Sequence, residues 1–148
     1  MAKYPHTNPN HEDLKDRKEV KINSSRSWRS LRFALLRYGY LFTARTCDPA
    51  HPVPGIGAER WVEETVSHEP YNVGHLYEAA VAHFQATGKR TLLDVAVKNA
   101  DLVASVFGPD KRRAFPGHEE IELALVKLYR VTGNENYLRL AKYFLENS

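Results

Sequence analysis

The chain has 148 residues, 43% hydrophobic and 26% charged, which is enough apolar material for one packed domain. No apolar run approaches the roughly 20 residues of a membrane span, so a membrane partner is excluded. The single cysteine, Cys47, excludes an internal disulfide and a Cys-rich zinc site made from this chain alone.

Residues 1–37 carry nine Lys/Arg and four Asp/Glu, so the basic character sits there, while the rest is slightly acidic. Such an arm gives only weak, salt-sensitive attraction to nucleic acid, and no nucleic-acid-binding motif accompanies it, so nucleic acid is not an expected partner. The start, Met1 to His6, has no apolar stretch of the secretory kind, which makes the cytoplasm the default address.

In chain order, residues 1–23 read as a polar, poorly ordered arm. A helix is expected over 24–37, capped by Ser24 or Ser25, with Trp28, Leu31 and Leu35 on one face and four arginines around it. Between 39 and 59, Pro49, Pro52, Pro54, Gly55 and Gly57 forbid a long regular element and predict an ordered loop. Cys47 lies in that loop with no activating neighbour.

From there the sequence predicts helices. One covers 72–87, with Asn72 as N-cap and Gly88 as the left-handed residue beyond its end. The second covers 90–106 and stops at Gly108-Pro109. The third covers 118–131, with Glu119 and Glu120 in its first turn, where carboxylates suit the helix dipole. The fourth covers 135–145.

These helices repeat. A shift of 45 positions lays Ala79, Val81, Thr87, Gly88, Leu93 and Ala96 on Ala124, Val126, Thr132, Gly133, Leu138 and Ala141. A period of that size means stacked helical hairpins, in an open solenoid or a closed toroid. The first helix of each pair is apolar nearly all round and the second is amphipathic. The first therefore belongs inside and the second outside. The fold class is all-α.

Two polar-aromatic stretches flank the inner helices: Ser67-His68-Glu69-Pro70-Tyr71-Asn72-Val73-Gly74-His75 and Phe115-Pro116-Gly117-His118-Glu119-Glu120. The His68 and His75 spacing does not match the helical zinc motif, and Pro70 is expected to break the helix between them, so no metal site is assigned. His83 reads as a polar residue satisfied near a helix end, and Glu122 as structural or solvent-facing. In a stack of hairpins the inner helices run the same way. Their N-terminal ends share one face, which places the His68 and His118 rings within roughly 10–12 Å of each other.

These stretches, together with Tyr40-Leu41-Phe42-Thr43-Ala44-Arg45-Thr46 and the continuation through Leu76-Tyr77-Glu78-Ala79-Ala80-Val81-Ala82, resemble glycoside hydrolase family 127. The best-known activity of that family is removal of non-reducing-end β-L-arabinofuranose. The resemblance covers roughly residues 38–146 and implies part of an (α/α)6 toroid over 38–148. It also implies that His68 and His118 line the sugar subsite, with Tyr71 and His75 beside them as substrate-binding residues.

The family's mechanism uses a cysteine nucleophile near a zinc ion held by further Cys and Glu ligands, with a separate Glu as acid/base. The expectation is that those residues fall beyond this chain, as a truncated or frame-shifted reading frame would produce. Cys47 sits in a different motif and does not inherit the nucleophile role. No catalytic residue and no bound cofactor are therefore assigned to this chain, although zinc is implied for the full-length family. The expected partner is an arabinofuranoside-like carbohydrate. Self-association is expected too, because two hairpins leave apolar helix sides uncovered. The competing reading is an α-helical repeat module for protein–protein interaction, which the period alone supports equally well.

Overall fold

The structure, a computed structural model, describes residues 39–42, 59–62 and 67–148. The expected basic arm, the helix over 24–37, Cys47 and most of the 39–59 loop lie outside those residues. Among the described residues there are four helices and no strand, only an isolated bridge between Phe107 and Arg112. We label the helices α1 (Glu69–Thr87), α2 (Thr91–Val106), α3 (Glu120–Thr132) and α4 (Glu135–Asn147).

The two hairpins share the turn chemistry that the repeat predicts. In the first, the Thr87 hydroxyl donates to the His83 carbonyl at 2.7 Å and accepts from the Lys89 N–H at 3.2 Å. In the second, the Thr132 hydroxyl donates to the Leu128 carbonyl at 2.8 Å and accepts from the Asn134 N–H at 3.2 Å. Gly88 and Gly133 follow with φ of 69° and 72°, and each N–H closes on the carbonyl four residues back at 2.8 Å. Glycine adopts that left-handed conformation without the steric cost a Cβ imposes, and the Phe84 and Tyr129 carbonyls are satisfied by the closing N–H.

Packing follows the inner and outer assignment. α1 lies along α3, α2 backs α1, α4 backs α3, and α2 meets α4 more lightly. Tyr77, Leu93, Ile121, Leu125, Leu128, Tyr137 and Phe144 fill the core between them. Equivalent positions of the repeat differ in burial in a systematic way. Ala124 is buried against α1, whereas Ala79, its counterpart, is exposed; Leu93 is buried, whereas its counterpart Leu138 is exposed. One edge of each hairpin faces the hairpin before it and the other faces the hairpin after it. The edge that the two hairpins share is dry.

Two helix starts differ from expectation. α1 begins at Glu69, and Pro70 lies inside its first turn rather than breaking it. A first-turn N–H has no intrahelical acceptor, so a proline there forfeits no hydrogen bond. Asn72 is consequently not the cap, because its N–H already donates to the His68 carbonyl at 2.9 Å. α3 begins at Glu120 with Glu119 as its flanking residue, so Glu120 and Glu122 occupy the first turn.

The segment around Tyr40 is pinned to both helices of the first hairpin. The Asn99 amide donates to the Gly39 carbonyl at 2.6 Å and its oxygen accepts from the Tyr77 hydroxyl at 2.5 Å. The Tyr40 hydroxyl donates to the buried Glu69 carboxylate at 2.7 Å. Trp61 packs edge-on against both Tyr40 and Phe107. This anchoring fixes the start of α1, where the site lies.

Candidate functional site

His68 immediately precedes α1 with φ 56° and ψ 22°, a left-handed backbone rare for a residue with a side chain. Its side chain makes no capping bond to the helix. The ring instead stacks on His118 at 5.1 Å between centroids and 26° between planes. That is closer than the 10–12 Å expected from helix spacing alone, because both rings lean toward the gap between the two helix starts.

Tyr71 and His75 complete the group. Tyr71 lies 6.0 Å from His68, 5.2 Å from His118 and 4.5 Å from His75, ring to ring. All four residues singled out from the sequence therefore form one cluster at the N-terminal ends of α1 and α3. Tyr71 is half-buried, and His68, His75 and His118 are exposed. The cluster offers imidazole and phenol groups that donate and accept hydrogen bonds.

A second group, which the sequence reading passed over, adjoins the first. His75 and Glu78 lie one turn apart on α1, and Glu120 faces them from the first turn of α3. The His75 Nδ1 lies 3.1 Å from Glu120 Oε1. Lys127 pairs with Glu78 and holds that carboxyl below the usual carboxylate range. Burial, with Glu78 beside it, pushes the Glu120 carboxyl up. The signal in the sequence was the three-residue spacing of His75 and Glu78. Glu120 was hidden because a first-turn glutamate has a sufficient reason in the helix dipole.

Gly74 sets the approach of the two helices. A Cβ there would lie 2.9 Å from Glu120 Cγ and 3.0 Å from the Ile121 N and Cα, so only glycine lets the start of α3 rest on α1.

One donor atom from each of Glu78, Glu120 and His75 lies within 4.8 Å of the others, and Lys127 pairs with Glu78.

Glu122 does not face solvent, which leaves the structural alternative of its expected role, whereas His83 departs from its expected role. Glu122 is buried, its Oε2 has no hydrogen-bond partner, and burial pushes its carboxyl up. His83 is not satisfied either, since its Nδ1 is shielded from solvent without a partner.

Comparison with known proteins decides the family. The catalytic-domain model of GH127 β-L-arabinofuranosidases matches residues 13–148. The chain belongs to the GH127 family. A non-reducing-end β-L-arabinofuranosidase of Bifidobacterium longum is 50% identical over 82 residues, covering 54% of this chain and 12% of that enzyme. A solved GH127 β-arabinofuranosidase superposes with a TM-score of 0.70 at 54% identity, covering 74% of this chain and 18% of the other. The GH127 β-L-arabinofuranosidase of Geobacillus stearothermophilus T6 gives 0.67 at 50% identity, covering 75% and 17%. The GH127 chain described here thus spans less than a fifth of the length of these relatives. Its four helices are hairpins of the (α/α)6 toroid. None of its described helices is long and apolar enough to cross a membrane.

Proposed function

We propose that this GH127 chain forms one wall of a sugar subsite, with His68, Tyr71, His75 and His118 contacting an arabinofuranose-like sugar. The observation that supports this reading is the convergence of those four rings, from two segments far apart in sequence, on one end of the inner helices. Imidazole and phenol groups match the alternating donors and acceptors of sugar hydroxyls, and the ring faces suit the apolar C–H faces of a furanose. A plain repeat scaffold has no need for such a cluster at its helix entrances.

Bond cleavage in this reading requires more than the wall. The family resemblance implies a cysteine nucleophile, a zinc held by Cys and Glu, and a glutamate acid/base. One cysteine in the chain cannot be both nucleophile and Cys ligand set, and the donors that the described residues bring together are His75, Glu78 and Glu120. The residues present do not fit that zinc centre. The chain by itself binds sugar without turning it over.

The test has two arms. Ligand-observed NMR with methyl β-L-arabinofuranoside should show saturation transfer to the sugar, with affinity of about 1 mM, equivalent to about 4 kcal/mol. His68→Ala and His118→Ala should each abolish it. An aryl β-L-arabinofuranoside should release no aryl alcohol. Transfer that survives both substitutions rejects the subsite; turnover abolished by Cys47→Ser rejects the division between binding and catalysis.

A further inference from the structure

We propose that His75, Glu78 and Glu120 form a binding site for a divalent d-block cation of the zinc class, bridging α1 and α3. The three side chains offer one imidazole nitrogen and two carboxylate oxygens, mutually within 4.8 Å. That is a mixed nitrogen–oxygen donor set of the kind zinc accepts with three protein ligands and an open position for water.

Three further observations support it. First, Glu120 Oε1 is shielded from solvent and has no hydrogen-bond donor, although His75 Nδ1 stands 3.1 Å away. The two atoms confront each other without closing a hydrogen bond, as two ligand atoms aimed at a shared position do. Second, the arrangement is built in. His75 and Glu78 share a face of α1 by their spacing, and the missing side chain at Gly74 presses the start of α3 onto that face. Third, a cation already occupies part of the group, because the Lys127 ammonium pairs with Glu78. Two carboxylates against one ammonium leave the site with an excess of negative charge. A divalent ion answers that excess better than one lysine, and its entry displaces Lys127 toward solvent, where its side chain is already about two-fifths exposed.

The proposal shares His75 with the sugar reading, but its other two ligands take no part in that reading and it predicts binding with no carbohydrate present. Its ligand His75 also touches Tyr71, so a bound ion would hold the edge of the aromatic cluster in place.

The experiment is calorimetric titration of the full chain with Zn²⁺, paired with Co²⁺ titration followed by visible absorption, which reports coordination directly. The parent chain should bind one equivalent saturably. His75→Ala and Glu120→Gln should each weaken binding at least tenfold, with unchanged helical circular dichroism. The glutamine is isosteric, so it separates loss of a ligand from loss of fold. Lys127→Met should tighten binding several-fold by removing the competing ammonium. Absence of saturable binding, equal binding by the His75 and Glu120 variants, or weaker binding by Lys127→Met would each overturn the proposal.

Discussion

His68 holds a left-handed backbone that costs about 1 kcal/mol or more for a residue carrying a Cβ. Nothing in the helix start requires a histidine there, since its side chain makes no capping bond. A strained residue whose ring is spent on stacking against His118 is what a binding position looks like, and this gives a sharp expectation. His68→Gly should stabilise the fold by up to about 1 kcal/mol in chemical denaturation while abolishing sugar binding. Loss of both stability and binding would make His68 a structural residue. Glu122 supplies a second test at this scale. Its folded-state carboxyl titrates above the usual range because of burial, with Glu119 and Glu120 adding to the effect, whereas in the unfolded chain it titrates normally. The folded protein therefore keeps a proton that the unfolded chain has released, and stability falls as pH rises through that interval. Glu122→Gln should raise stability at pH 7 and leave it nearly unchanged at pH 4, read as the difference in denaturation midpoint between the two pH values. Equal destabilisation at both values would contradict the assignment.

At the scale of the helix, the contact between α1 and α3 positions both groups of side chains, and Gly74 is its tightest point. Gly74→Ala would drive a methyl into backbone atoms of Ile121 that cannot yield as a flexible side chain can. It should cost about 1–3 kcal/mol and separate the two helix starts, read as a lowered Tm together with loss of sugar binding. An alanine variant of parent stability would mean that the helices have room to spare. The helices themselves were legible in the sequence because the 45-residue period, the Thr-Gly turns and the apolar faces all agree on one answer. The start of α1 was not, because Pro70 reads as a breaker until its place in the first turn is known. Glu69 and Asn99 were equally hidden. Their burial depends on Tyr40, Tyr77 and Gly39, partners up to 60 residues away that no local pattern encodes.

Over the molecule as a whole, the two hairpins bury the edge they share, and large apolar side chains stay exposed on the far side of the second hairpin. Leu123 is 51% exposed and Leu138 40%, and both lie on the edge that a following hairpin would cover in the toroid. The isolated chain should therefore self-associate as concentration rises, and pairing Leu123→Glu with Leu138→Lys should shift it toward monomer in analytical ultracentrifugation. A parent chain that stays monomeric at high concentration would show that these edges are covered in another way. The same exposure explains why the candidate site is half legible. The four rings were named from sequence because they sit in motifs at the helix entrances. The His75, Glu78 and Glu120 group exists only once α1 and α3 are laid side by side. The most direct test of the subsite is an NMR titration of the chain, labelled at histidine and tyrosine, with methyl β-L-arabinofuranoside. Saturable shifts are predicted for His68, Tyr71, His75 and His118, with none at His83; shifts absent from the four, or equally large at His83, would contradict the account.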